Sequence, residues 1–167
     1  MSPCGVRLAG RVTLREVRES DLPTLFANQQ DPIATEMAAF PARDEEAFGA
    51  HWGKILADKS VTCRTVLAGG EVAGTINSWE QGGLAQVGYW IGREFWGKGV
   101  ATEALRLFLK EVRARPLYAH VAKNNVGSLR VLEKCGFRRV GEERAVSIRG
   151  GPPADEWVMR LDSHPDA

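Results

Sequence analysis

Hydrophobic and polar residues alternate early in the chain and then follow a helical period. The segment VTLREV, residues 12–17, alternates apolar and polar side chains, which predicts a half-buried strand. Ser20 and Asp21 can cap a helix that runs to about Asn28, and Pro23 suits its first turn. Residues 29–43 show only a weak pattern. A second helix is expected over residues 45–59, where apolar side chains recur on one face.

Between residues 61 and 91 the pattern of apolar and polar residues changes to one typical of β-strands. The segments VTCRTVLA (61–68), VAGTINSW (72–79) and LAQVGYWI (84–91) are rich in strand-forming residues. Glycine turns at 69–70 and 82–83 separate them. Tight turns of this kind join antiparallel neighbours, so the pattern predicts a three-stranded meander.

The second half of the chain mixes helices and strands. An apolar stripe that begins at Ala101 predicts a helix, which Pro116 ends. Residues 117–122 form the next strand, expected to lie parallel to residues 84–91. Asn125 caps a short helix that Gly136 closes, and strands around 138–144 and 156–161 follow. The predicted order is β-α-α-β-β-β-α-β-α-β-β, an α+β fold, or mixed α/β in a loose sense, with helices on the faces of a mixed sheet.

Composition and charge narrow the range of functions. The 167 residues suggest one domain, with a core over about 12–161 and short flexible tails, including the terminal SHPDA. The formal net charge of +1 gives no electrostatic footprint for nucleic acid or for an anionic membrane. No apolar run reaches the length needed to span a bilayer. The sequence therefore predicts a cytoplasmic protein that binds neither nucleic acid nor membrane.

The cysteines and histidines are too scattered to suggest metal or disulfide chemistry. None of the cysteines forms a CxxC pair, and no histidine lies at ligand spacing from another. We therefore predict no metal site. The residues concerned are Cys4, Cys63, Cys135, His51, His120 and His164.

Two glycines stand at the beginning of the helix that contains Ala101. A glycine inside a helix costs about 1 kcal/mol relative to alanine, so Gly97 and Gly99 need another explanation. A helix N-terminus carries unpaired N–H groups and a partial positive charge, which attract phosphates. Glycine lets a phosphate reach the backbone. The segment fits a pyrophosphate cradle to which Lys98 could add a charge and Thr102 a hydroxyl, although it matches neither a dinucleotide fingerprint nor a Walker loop.

Two motifs together resemble the GNAT superfamily of N-acetyltransferases. They are YWIGREFWGKGVATEAL (89–105) and NNVGSLRVLEKCGF (124–137), and LREVRESDLPTLFANQQDP (14–32) looks like the opening of the RimJ/RimL-type branch. The resemblance covers about residues 12–161. It implies a GNAT-like fold, with a mostly antiparallel sheet of about six or seven strands, a parallel pair that splays apart, and about four helices.

The resemblance also implies that the chain binds acetyl-coenzyme A (acetyl-CoA). The pantetheine arm would pair with the backbone of Trp90, Ile91 and Arg93, and Asn125 would hydrogen-bond to it. The pyrophosphate motif departs from the family at its first position, where Trp96 replaces Gln or Arg, as is usual in the RimJ/RimL branch. The implied cofactor-binding residues are Trp90, Ile91, Arg93, Trp96, Gly97, Lys98, Gly99, Val100, Ala101, Thr102, Asn125 and Ser128.

The implied reaction is direct attack of a primary amine on the thioester. A backbone N–H beside Tyr89 or Trp90 would stabilise the thioester oxygen. Ser128 is the candidate acid for the leaving thiolate, directly or through water. Relatives carry a glutamate as base at the position of Gln86, which cannot take a proton.

The base therefore stays open. Glu80, at the end of the preceding strand, is the predicted substitute for the missing glutamate. His120 on the cleft strand is another candidate, and His51 on a helix is a weaker one. A relay of water without a dedicated base is a further alternative.

The acceptor is expected between residues 29–42 and the loop IRGGPP, 148–153. Met37, Phe40 and Pro41 suggest a partly apolar wall, which suits the N-terminal α-amine of a peptide or a small amine. An edge strand could also support a homodimer. The alternative function is a catalytically weak sensor that binds acyl-CoA, which Gln86 favours and which the intact Asn125 and Ser128 oppose.

Overall fold

A computed structural model describes residues 11–38, 42–145 and 154–163. All of its strands belong to one mixed sheet in the order β1-β2-β3-β4-β5-β7-β6. The strands are β1 Val12–Glu16, β2 Thr62–Ala68, β3 Glu71–Gln81, β4 Leu84–Ile91, β5 Leu117–Ala122, β6 Arg138–Ala145 and β7 Ala154–Leu161. The helices are α1 Leu22–Gln29, α2 Pro32–Ala38, α3 Glu45–Ala57, α4 Val100–Glu111 and α5 Val126–Lys134. The predicted α+β class, the meander β2–β4 and the parallel pair β4–β5 are confirmed.

One helix was not predicted. The described part of the chain contains five α-helices where the sequence suggested about four, and the additional one is α2. Its start nevertheless has a physical signal, because the Asp31 carboxylate accepts a hydrogen bond from the Ile33 amide at 3.0 Å and Pro32 occupies the first turn. Pro32 is thus the first residue of α2.

Asp21 has a different role from the predicted helix cap. It is the last residue of a short 3₁₀ turn, Glu19–Asp21, and its side chain makes no capping bond to α1. Its carboxylate is only 2% exposed and accepts two bonds from the Arg15 guanidinium at 2.8 Å, together with bonds from the Thr65 hydroxyl and the Arg18 amide. These bonds tie the 3₁₀ turn to β1 and β2. They hold the pKa of Asp21 at about 2, mainly through the Arg15 bond.

Replacement of Asp21 with asparagine is expected to lower the free energy of unfolding by about 2 kcal/mol at pH 7. The folded carboxyl has a lower pKa than the unfolded one, so its contribution is complete above about pH 5 and is lost as the pH falls through about 2. Urea unfolding at pH 7 and pH 3 measures this difference. Asp162→Asn is the control, because that carboxylate pairs with Arg138 and Arg160 on the surface and should contribute little. Equal losses in the two variants would contradict the assignment.

The sheet opens between β4 and β5. The two strands pair only at Ala85 with Leu117 and at Gln86 with Tyr118, so they separate over the second half of β4. The chain leaves β4 through a 3₁₀ turn, Arg93–Phe95, and then enters α4. The opening therefore lies beside the N-terminus of α4, as the resemblance implied.

Helix α4 fixes the position of this opening because its apolar face belongs to the main core. Leu105, Phe108 and Leu109 are completely buried there, and Leu132 of α5 joins the same cluster. None of the helices in residues 11–38, 42–145 and 154–163 is both long and apolar enough to cross a membrane. The predicted wall residues Phe40 and Pro41, the loop 148–153 and the tails at 1–10 and 164–167 lie outside the described residues.

Candidate functional site

A cleft of about 400 Å³ lies beside the end of β4, where β4 and β5 have separated. Helix α2, the end of β4, the turn after it, the first turn of α4 and one face of α5 surround it. Predicted site residues that line it are Trp90, Ile91, Trp96, Gly97, Gly99, Val100, Ala101, Thr102, Asn125 and Ser128. Two of the predicted cofactor-binding residues, Arg93 and Lys98, are not among the lining residues, and neither is the predicted base Glu80.

The glycine turn forms the phosphate-binding end of the cleft. Gly97 and Gly99 have φ angles of +73° and +79°, which L side chains rarely adopt, and a Cβ at either position would meet only open space. Gly99 is the N-cap of α4 and has no side chain that could accept a hydrogen bond from the helix. The first backbone amides of α4, which have no partner within the helix, therefore stay available at the cleft. An open surface with unpaired amides and a helix dipole fits a pyrophosphate.

Trp96 holds this turn in place. Its indole Nε1 donates a hydrogen bond to the Ile91 carbonyl at 2.8 Å, and its backbone N–H donates to the Arg93 carbonyl at 3.0 Å. The indole thereby connects the end of β4 to the beginning of the glycine turn. This contact gives a physical role to a tryptophan at the position where the family motif has Gln or Arg.

The backbone of β4 alternates between β3 and the cleft. The Gly92 amide donates to the Ala73 carbonyl at 2.8 Å, and in an antiparallel ladder every second residue makes such bonds. Trp90 consequently directs its backbone groups to β3, while Tyr89 and Ile91 direct theirs to the cleft. The structure therefore differs from the prediction at Trp90: its backbone is used within the sheet, and its indole donates to the Asn28 carbonyl at 3.3 Å.

The first turn of α5 brings two predicted residues together. The Asn125 side-chain oxygen accepts a hydrogen bond from the Ser128 amide at 3.2 Å, which confirms the predicted helix cap. This bond leaves the amide NH₂ of Asn125 as a donor at the wall of the cleft.

The side chain of Tyr89 is a part of the site that the sequence did not indicate, although the backbone beside Tyr89 or Trp90 was a predicted donor. It lines the cleft, and its hydroxyl lies 2.8 Å from the Ser128 Oγ and 3.3 Å from the Ser128 carbonyl oxygen. Burial raises the pKa of Tyr89 above its ordinary value, and the nearby Cys135 adds to the shift while the bond to Ser128 opposes it. The phenol is therefore a persistent hydrogen-bond donor at neutral pH.

Basic side chains mark the α5 side of the cleft. Arg130 and Lys134 line it and are four residues apart, so they lie on the same face of α5. The spacing of these two basic residues in the helix capped by Asn125 could have indicated a basic face, although it was not among the predicted site features. Arg93 instead forms an ion pair with Asp31, with Nε 2.7 Å from Oδ2, and so joins the turn after β4 to the start of α2.

The candidate bases lie outside the cleft lining. Glu80, on β3, pairs with Ala85 at the beginning of β4. The cleft lies at the other end of β4, where Ile91 pairs with Gly74 of β3. Glu80 and Gly74 are six residues apart on β3, which is roughly 20 Å along the strand. The prediction that Glu80 replaces the missing glutamate has no support from this position. Gln86 is buried where β4 still pairs with β5. His120 pairs with Glu156, with Nδ1 3.7 Å from Oε1.

Within residues 11–38, 42–145 and 154–163, no three His, Cys, Asp or Glu side chains come together in a way that could hold a metal ion. The absence of a metal from the protein stays a prediction.

Comparisons with known proteins agree with the fold. A family model described as "Acetyltransferase (GNAT) domain" matches residues 11–138, which is most of the chain. Among curated proteins, the chain is 36% identical over 81 residues to a "Probable N-acetyltransferase YjcK" of Bacillus subtilis (strain 168), a match that covers 46% of this chain and 45% of that protein. The matched part thus spans less than half of that relative.

Solved structures share the fold across almost the whole chain. A spermidine N-acetyltransferase from Vibrio cholerae, in complex with CoA and spermine, matches with a TM-score of 0.80 at 19% identity, over 93% of this chain and 98% of that one. Mycobacterium smegmatis RimJ, in complex with CoA-disulfide, matches with a TM-score of 0.75 at 22% identity, over 92% and 83%. At these identities the likeness concerns the fold alone.

Proposed function

The chain belongs to the GNAT acetyltransferase family, and from this premise we propose that it transfers an acetyl group from acetyl-CoA to a primary amine. The observation that carries the proposal is the cleft itself, where the glycine turn and the basic face of α5 meet at the splay of β4 and β5. We also propose that residues 1–167 form a single acetyltransferase domain. No metal takes part in the proposed reaction.

The described residues can account for the phosphates and the pantetheine arm of acetyl-CoA. The amides at Gly97, Gly99 and the first turn of α4 would bind the pyrophosphate, with Lys98 close by on the same turn. Arg130 and Lys134 would neutralise the remaining phosphate charge. The pantetheine arm would lie along β4 and bond to backbone groups that face the cleft, in the manner of an added strand.

The proposed reaction is a direct transfer. The lone pair of the neutral amine attacks the thioester carbonyl, a C–N bond forms, and the C–S bond breaks with its electron pair on sulfur. The amine nitrogen loses one proton to water, and the thiolate later takes one from solvent. The backbone N–H of Tyr89 or Ile91 would stabilise the carbonyl oxygen, because both face the cleft. The Ser128 hydroxyl would interact with the sulfur as the C–S bond breaks.

The lining of the cleft favours an amine with a low pKa. None of its described lining residues is an aspartate, a glutamate or a histidine. The segments 39–41 and 146–153 have none in their sequence either. An enzyme without a base must take the neutral amine from solution. At pH 7 an α-amine, with a pKa of about 8, is roughly 10% neutral, whereas a lysine-like amine with a pKa of about 10.4 is less than about 0.1% neutral. We therefore propose the α-amine of a peptide N-terminus as the preferred acceptor.

Two peptides of the same sequence test this proposal. One has a free N-terminus and no lysine, and the other has a blocked N-terminus and one lysine. Thiol release from acetyl-CoA at pH 7 is expected to be about 100-fold faster with the free N-terminus, and its kcat/KM should rise with pH until the α-amine is neutral and then level off. Mass spectrometry of the product identifies the acetylated amine.

Other results of the same assay would point elsewhere. Faster transfer to lysine, or to a polyamine such as spermidine, would contradict the preference for an α-amine and require a base that deprotonates the acceptor. Binding of acetyl-CoA without transfer to any amine of a wide panel would favour the acyl-CoA sensor.

The proposal has three further parts. Membership in the RimJ/RimL-like branch is supported by the motif residues 89–105 and 124–137, including Trp96 in place of Gln or Arg. A cytoplasmic location is supported by the composition. A homodimer through an edge strand is a prediction that size-exclusion chromatography with light scattering can test.

A further inference from the structure

We propose that Tyr89 positions the hydroxyl of Ser128, so that the serine presents a fixed hydrogen-bond donor to the departing sulfur of CoA. The inference rests on the proposed function, since it concerns the same cleft. It assigns a positioning role to Tyr89 and makes Ser128 a donor of a hydrogen bond rather than of a proton.

The geometry of the pair carries the inference. Tyr89 is on β4 and Ser128 is on the first turn of α5, 39 residues apart in sequence, and their hydroxyl oxygens are 2.8 Å apart at the wall of the cleft. The backbone amide of Ser128 is fixed separately by the Asn125 side chain at 3.2 Å. Both ends of Ser128 are therefore held, the amide by the helix cap and the hydroxyl by the tyrosine.

The proposal assigns a direction to this hydrogen bond. Either hydroxyl can donate in the 2.8 Å contact, and in the proposed arrangement the Tyr89 O–H donates to the Ser128 Oγ rather than to the Ser128 carbonyl oxygen, which is 3.3 Å away. The Ser128 oxygen then accepts this bond and keeps its own hydrogen for another partner. Because Ser128 lines the cleft, that hydrogen is available to a ligand there.

A hydrogen-bond donor suits this step better than an acid does. When the C–S bond breaks, sulfur receives the electron pair and becomes a thiolate, whose conjugate thiol has a pKa of about 8.5. Burial raises the pKa of Tyr89 further above that value. Neither hydroxyl would give up its proton to so weak a base, but a fixed O–H can stabilise the negative charge as it develops. The thiolate then takes its proton from solvent.

The bound product offers a readout that does not depend on turnover. The ultraviolet absorbance of the CoA thiolate reports the pKa of the thiol in the complex. We expect this pKa to be about one unit lower in the wild type than in Tyr89→Phe or Ser128→Ala, a tenfold change in the ionisation constant. Cys135, just after α5, interacts electrostatically with Tyr89, and Arg130 and Lys134 line the same cleft; these three groups are the same in every protein compared.

A double variant distinguishes positioning from independent effects. If Tyr89 acts through Ser128, Tyr89→Phe combined with Ser128→Ala should raise the thiol pKa no more than Ser128→Ala alone. In turnover, Tyr89→Phe should lower kcat about tenfold while KM for acetyl-CoA changes by less than about twofold. Tyr118→Phe is the matched control, because it removes the hydroxyl of the other tyrosine, which lies beside Arg160, and should change neither value.

Two results would overturn the inference. One is a thiol pKa in Tyr89→Phe equal to that of the wild type, which would mean that Ser128 needs no positioning. The other is a double variant whose effect is the sum of the two single ones. The inference and the proposed function can fail separately. If the thiol pKa values follow the expected pattern but the protein acetylates no amine, the inference is supported and the proposed function is rejected.

Discussion

Replacement of Gly99 with glutamate is expected to raise KM for acetyl-CoA by at least about 100-fold. Gly99 has a φ of +79°, and a side chain in this conformation costs about 1–2 kcal/mol. The new carboxylate would also stand at the mouth of α4, where the pyrophosphate binds in the proposed complex. Repulsion between like charges a few ångströms apart near a protein surface costs about 4 kcal/mol. Isothermal titration calorimetry with CoA measures the loss of binding directly.

Gly83→Glu separates the two contributions. Gly83 has almost the same φ, +80°, and a Cβ there would also meet only open space, but it lies in the turn between β3 and β4, at the end of β4 away from the cleft. The control should therefore lose similar stability and keep its affinity for acetyl-CoA. Equal affinity in the two variants would mean that the glycine turn does not bind phosphate.

Replacement of Gly74 with alanine is expected to lower the free energy of unfolding by at least about 3 kcal/mol. Gly74 is buried on β3, opposite Ile91, and a Cβ there would overlap with the Trp90 carbonyl oxygen and lie 2.9 Å from the Ile91 Cα. Both atoms belong to backbone, so a rotamer change cannot relieve the contact. The end of β4 must move, and we expect weaker binding of acetyl-CoA in any protein that still folds. Urea denaturation and calorimetry measure the two effects.

Replacement of glycine with alanine should increase stability at other positions in the chain. Gly49 and Gly53 are exposed within α3, and a Cβ at either position would meet nothing within 4 Å. Alanine stabilises a helix interior by about 1 kcal/mol relative to glycine, so Gly49→Ala should raise the free energy of unfolding. A stability loss in Gly49→Ala as large as that in Gly74→Ala would show that the close approach to β4 is not the cause.

Much of the fold could be predicted because its signals are local. Helix α4 has a wide apolar stripe and α5 has an asparagine cap and a closing glycine, and both lie where the pattern placed them. The glycine turn is also local, since its residues are consecutive. Helix α2 was missed because seven residues carry too little periodicity, and its start signal, Asp31 before Pro32, also occurs in turns.

The parts of the site that depend on distant contacts could not be predicted. Tyr89 and Ser128 come together only when α5 packs beside β4, and no pattern in either segment indicates this. Glu80 was chosen for its chemistry, although its place beside the turn at 82–83 already indicates the end of β4 that lies away from the cleft. Asp21 has the sequence position of a cap, but Arg15 and Thr65 compete for its carboxylate once β1 and β2 are paired.

The short pairing between β4 and β5 has a consequence for hydrogen–deuterium exchange. In the free protein, the amides of Gly88 and Trp90 bond to β3 and should exchange slowly, whereas those of Tyr89 and Ile91 face the open cleft and should exchange fast. Bound acetyl-CoA would cover the second pair and leave the first unchanged. If acetyl-CoA slows amide exchange at every second residue of β4 only, the ligand lies along one edge of this strand.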